Sequence, residues 1–217
     1  MMKKKILIIF AIYIGIILAY ATFRYQRTSA SRLADKYGVD VVQIRSSVDK
    51  DNDGIDDQTD ILEGALTYVA SKPKYKSKYY STGYSDDGYG VCTDVVANAL
   101  RSAGYDLMTL VEEDIKNHSN DYNIDHPDIN IDFRRVTNLK IYFSHTALNL
   151  TTDIFRVEEW QGGDIVVFKS HIGIVSDRRN EDGVPYVIHH NDPWQVAYEQ
   201  DILEDRDDIV GHFRITE

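Results

Sequence analysis

The chain carries one cysteine and seven histidines, and the residues around them are spaced for nucleophilic chemistry. Cys92 stands in GYGVCTDVVANALRSAG, where Cys92, Val95, Val96, Ala99 and Ala103 recur at helical spacing and Gly104 supplies a stop. The pattern predicts a helix with Cys92 in its first turn. By type alone, a lone cysteine is more often a small buried apolar group than a nucleophile. Position alters the chemistry, because the partial positive charge of a helix N-terminus and a neighbouring imidazole both favour thiolate. The unpaired N–H groups of a first turn also suit an oxyanion, and Gly88-Tyr89-Gly90 lets backbone approach closely.

Strand parity narrows the choice of base. In HIGIV, His171, Gly173 and Val175 share a face, and on the next strand Val187, His189 and Asn191 share one. With a turn over residues 178–182, Asp177 pairs with Gly183 and His171 lies opposite His189, Cβ atoms about 4.5–5.5 Å apart. A one-residue slip would present His190 instead. The preferred register makes His189 the group that orients His171, leaves Gly173 clearing the face between them, and puts His190 at the surface or behind the site. His118, His126, His145 and His212 read as structural or exposed, and no close ligand spacing marks a zinc site.

These side chains need elements to hold them. GGDIVVFK, SHIGIVSD, VPYVIHHN and DIVGHFRI read as short strands, and an amphipathic helix is expected over Thr59–Val69. Residues 105–158 are polar and irregular, with helical hints at Leu107–Lys116 and Asn138–Phe143. A Cys-bearing helix followed by a small antiparallel sheet is an α+β arrangement. Lys3, Lys4 and Lys5 precede the uncharged run at residues 6–23, long enough to span roughly 30 Å of hydrocarbon, with the lysines inside and the rest outside. Ala19-Tyr20-Ala21 offers an alternative cleavage point. The expected organisation is therefore an anchor or signal over 1–23, a linker or stalk over 24–48 with a helix-like stretch at Ser31–Val42, and a globular domain over 49–217. The domain is placed at the outer face of the cell membrane, or secreted if cleaved after Ala21. A net charge of −11 argues against a nucleic-acid partner, and one cysteine permits no internal disulfide.

Ahead of the domain, DKDNDGIDDQTD sets Asp49, Asp51, Asp53, Asp57 and Asp60 at loop positions 1, 3, 5, 9 and 12, with Gly54 at 6 and the Ile55 carbonyl at 7. This is the oxygen spacing of an EF-hand-type calcium loop, although the last residue is Asp rather than Glu and no convincing entering helix precedes it. The alternative is an acidic solvated turn. Calcium here would be structural; the catalytic residues themselves call for no cofactor.

The pairing of GVCTDVV with GGDIVVF, SHIGIVSD and YVIHH resembles the NlpC-type branch of papain-like cysteine hydrolases. Within it the wording is most similar to a bacterial family catalogued as domain of unknown function 1287, through DQTDILEGA, YYSTGY, GVCTDVVANAL, AGYDL, NIDFRRVTNL, GDIVVF, HIGIVSD, VIHH and IVGHFRI. The resemblance covers about residue 57 to the end. It implies a papain-like core and cleavage of amide bonds in bacterial cell-wall peptides, with Cys92 as nucleophile, His171 as base and His189 as orienter. NlpC-type enzymes usually have Cys-Ser-Gly where this chain has Cys92-Thr93-Asp94. Asp94 opposes a nearby thiolate unless it faces away or grips a cationic substrate group, so Asp94 is a candidate substrate contact, with Tyr84 beside it. Two alternatives stay open: a non-catalytic calcium-dependent binding module, and an acyltransferase using the same Cys–His pair.

Overall fold

The Cys92 segment folds as its spacing predicts, since every apolar residue of its stripe finds the same core. The computed structural model describes residues 2–215, without the side chains of residues 2–5 and 8. Helix α3 (Cys92–Ser102) buries Val95, Val96 and Ala99 completely, and Gly104 closes it at φ +77°, a conformation open to glycine at no steric cost. Helix α2 (Asp57–Ala70) lies against it, burying Ile61, Ala65 and Val69. Its start is fixed by Asp56, whose carboxylate accepts the Thr59 N–H.

Both helices pack on one face of a six-stranded antiparallel sheet. Apart from a short parallel pair, β1 (Lys74–Tyr75) and β2 (Tyr89–Gly90), the strands among the described residues are those of this sheet: β3 (Leu148–Asn149), β4 (Ile165–Phe168), β5 (Ile172–Arg179), β6 (Pro185–Ile188), β7 (Glu199–Gln200) and β8 (Ile209–Arg214), in the order β3-β8-β4-β5-β6-β7. The β-branched runs expected as strands are β4, β5, β6 and β8, each sending alternate residues to opposite cores. Ile165, Val167, Ile172 and Ile174 join the core shared with α2 and α3, while Val166, Phe168, Val175 and Val187 surround Trp160 on the far side. The architecture is α+β.

The middle segment supplies α4 (Leu107–Asn117), the single turn α5 (Ile129–Asp132) and α6 (Val136–Thr146). Both helical hints are realised. Val111, Ile115, Leu139 and Phe143 are buried in the same core as α3, so this segment is part of the globule.

Residues 24–48 depart from expectation. Ser31–Val42 forms no helix; the strap runs extended along the domain. Ser29 bridges Ala197, Arg32 pairs with Glu199 at 2.9 Å, and the Lys36 N–H donates to Arg179 O. Arg179 and Ser176 offer partners that local sequence does not reveal. Before the strap, α1 (Met2–Arg24) exposes Ile9, Phe10, Ile12, Ile16 and Leu18. Among the described residues no helix is long and apolar enough to cross a membrane. The side chains of the three lysines lie outside them.

Candidate active site

Cys92 is the first residue of α3 and is half-buried. Its sulfur accepts hydrogen bonds from the Ile172 and Thr93 backbone N–H groups, which sets it against the start of β5, one residue from His171. His171 follows the tight β4–β5 turn, where the Phe168 N–H donates to His171 O at 2.8 Å. His171 Nε2 lies 2.8 Å from His189 Nδ1, both rings buried. His189 is held in turn by its N–H on Tyr198 O and by the Gln195 amide on its carbonyl.

The register that joins them is not the expected one. Ile174 pairs with Ile188 and Val175 with Val187, two residues along from the predicted pairing, and β5 runs on to Arg179, so the hairpin turns at residues 180–184. A shift of two preserves parity. His171 and His189 therefore share a face as expected, but as a diagonal pair, and long imidazoles span that distance. Gly173 sits between them: a Cβ there would come within 2.6 Å of Val187 Cγ1 and 3.2 Å of His189 Cβ.

Burial governs the charges. Desolvation pushes the Cys92 thiol up to about 11, against which the Ile172 and Thr93 N–H groups act, while Asp94 adds to it. Desolvation brings His171 down to about 4, helped by the Arg206 charge, and His189 down to about 3, helped by His171. The resting pair is thiol and neutral imidazole. Arg206 is a neighbour that sequence reading missed: its guanidinium lies 4.2 Å from the Phe168 ring, whose other neighbour is His171, and it pairs with Asp208. It lies 35 positions past His171 with no motif around it.

Two expectations are corrected and a third, on His190, is narrowed to one of its two alternatives. Asp94 is fully buried and grips no substrate. Its carboxylate accepts the Val91 N–H at 2.8 Å, capping α3, and takes Arg134 Nε at 2.9 Å and Nη2 at 2.8 Å. Its charge is thus paired by a residue 40 positions away, although it still adds to the rise of the Cys92 thiol. Tyr84 lies at the opposite end of α3, its ring under Arg101 and its hydroxyl on Asp106 at 2.7 Å. Arg101 is about 14 Å along the helix from Cys92, so Tyr84 has no place at the thiol. His190 is not a surface residue: it is 1% exposed, its ring wedged between Tyr75 and Tyr198 with neither nitrogen hydrogen-bonded.

A cleft of about 570 Å³ lined by Tyr25, Arg27, Lys74, Tyr75, Lys76 and Tyr89 adjoins the thiol through Tyr75, which lies near enough to Cys92 to sense a thiolate there and touches His190. Among the described residues two groups could hold metal. Asp49, Asp51 and Asp53 bring carboxylate oxygens within 4.8 Å of one another, whereas Asp57 is buried and spent on the Lys50 N–H and the Tyr105 hydroxyl. Asp57 is therefore no ligand. Asp114, His118 and His145 form the other group, assembled from α4 and α6. Their separation in sequence hid it. His212 is structural, stacked on Trp160 and bonded to Asp164, which also takes Arg214.

The fold and site define an α+β protein in which a helix-borne thiol lies against the strand that begins beside His171, whose ring meets His189. Residues 62–215 match the family described as Domain of unknown function (DUF1287), and the chain belongs to it. It is 38% identical over 168 residues to the uncharacterized protein YijF of Escherichia coli (strain K12), an alignment covering 71% of this chain and 80% of that protein. No solved structure gives a significant match.

Proposed function

We propose that the chain is an exported cysteine hydrolase, a peptidase or amidase acting on amide bonds of bacterial cell-wall peptides, built on a papain-like, NlpC-type core. The observation that carries this reading is the 2.8 Å contact between His171 Nε2 and His189 Nδ1 beside a sulfur at a helix start. For His171 Nδ1 to take the thiol proton, Nε2–H must donate to His189 Nδ1, which fixes the tautomer of both rings. Because thiol and imidazole are neutral at rest, proton transfer from Sγ to Nδ1 accompanies attack on the carbonyl. The resulting imidazolium then protonates the leaving amine, and water repeats the sequence on the thioester. The Cys92 and Thr93 N–H groups, which meet Sγ at rest, are the first-turn donors available to the developing oxyanion.

The cleft with Arg27, Lys74 and Lys76 among tyrosines suits a peptide rich in carboxylates, in a chain that is otherwise acidic. The apolar surface of α1 suits hydrocarbon, holding the domain at the outer face of the membrane. Purified full-length protein in detergent should release new amines from muropeptides, and Cys92→Ala should release none. Iodoacetamide should alkylate Cys92 at least about tenfold faster in wild type than in His171→Ala at pH 7. Equal release by wild type and Cys92→Ala, or equal alkylation, sinks the reading. The raised thiol pKa favours one rival, a binding module with an inert cysteine, and that rival predicts the second result.

A further inference from the structure

The geometry points to a single calcium site in the loop ahead of α2, with Asp49, Asp51 and Asp53 supplying carboxylate oxygens, Ile55 its backbone carbonyl, and Asp60 closing the shell. The loop is already turned for it. Asp49 accepts the Asp53 and Gly54 N–H groups, Asp51 accepts Asp53 N–H and Asp53 accepts Ile55 N–H, so three carboxylates converge around Gly54 at φ +95°. Those contacts would also occur in a plain acidic turn. The discriminating observation is Asp60. It is 7% exposed, its Oδ2 has no hydrogen-bond partner, and it lines the same cavity as Asp53 and Ile55, about 490 Å³ in volume. A buried carboxylate oxygen without a partner, opening on a cavity that Asp53 also lines, is costly unless a cation joins them.

Oxygen ligands of this number select a hard cation, and a loop with several exposed members suits the larger, geometrically tolerant calcium over magnesium. Binding would tie three parts together. Asp51 packs on Gly104 at the end of α3, Lys50 lies over Tyr105, and Ser102 Oγ donates to Asp60 O at 2.9 Å. The cation would thus clamp the start of α2 to the end of the helix that carries Cys92. This inference stands independently of the hydrolase reading.

The test is calorimetric titration of calcium chloride, and separately magnesium chloride, into EDTA-treated full-length protein in detergent. One saturable calcium site is expected with Kd about 10⁻⁴–10⁻³ M, as in extracellular modules, and magnesium at least about tenfold weaker. At 100-fold excess over Kd, Tm should rise by about 5–10 °C. Asp53→Asn, an exposed change that spares the fold, should abolish both effects. Asp57→Asn should lower Tm yet keep wild-type calcium affinity, because its carboxylate is already spent. Absence of a saturable calcium heat, equal response to both cations, or wild-type binding by Asp53→Asn overturns the inference.

Discussion

Removing the guanidinium behind the nucleophile helix should expose what Asp94 costs when unpaired. Arg134 and Asp94 side chains are 2% and 0% exposed and share two hydrogen bonds, with a third from Arg134 Nη1 to Lys78 O at 2.7 Å. In Arg134→Met the aliphatic volume is retained, but Asp94 keeps only the Val91 N–H as donor. Breaking a buried pair from one side costs about 3–5 kcal/mol, because the remaining charge is stranded. For a chain of this size that corresponds to roughly 6–20 °C in Tm. Urea denaturation of the full chain followed by circular dichroism measures the loss. Adding Asp94→Asn should recover part of it, with a coupling energy of at least about 2 kcal/mol, since a neutral amide is cheaper to bury. A second readout is chemical: the stranded carboxylate lies in the first turn with Cys92 and adds to its pKa, so alkylation should slow at fixed pH. A loss below about 1 kcal/mol, or faster alkylation in Arg134→Met, would refute the argument that the pair neutralises Asp94.

Gly173→Ala places a Cβ against Val187 Cγ1, Ile188 O and His189 Cβ, so it should cost about 1–3 kcal/mol and slow Cys92 alkylation by displacing His189; unchanged kinetics would mean that the ring pair tolerates movement. Acid should destabilise the protein early. His171, His189 and His190 are buried neutral with pKa values held by desolvation below the ordinary 6.5, near 4, 3 and 4. The unfolded chain therefore binds protons first as pH falls. Their contribution is complete above about pH 6.5 and drains between 6.5 and 4, by up to about 1.4 kcal/mol per pH unit for each histidine. Urea midpoints at pH 7, 6 and 5 read this slope. His190→Phe, which replaces an unbonded ring between two tyrosines, should flatten it by about one ionising group while keeping stability at pH 7, and a wild-type slope would show that His190 is not buried neutral.

Local pattern determined more than pairing distance did. The apolar stripe placed Cys92 at the start of α3, because a period of 3.6 is a property of the helix itself. Alternation placed His171 and His189 on one face, and that survived a two-residue error in register because parity repeats every two residues. The Asp49–Asp53 convergence was likewise legible, since five consecutive residues and one glycine build it. What the sequence could not decide were partners brought by long chain closures. Arg134 beneath Asp94, Arg206 beside Phe168 and His171, Tyr105 on Asp57, and the strap of residues 24–48 on Arg179 each depend on segments tens of residues apart, with no periodicity to announce them. Asp94 shows the consequence. In sequence it is an anion beside the thiol; in the fold it caps the helix, its charge met by a guanidinium, and its reach toward substrate is gone.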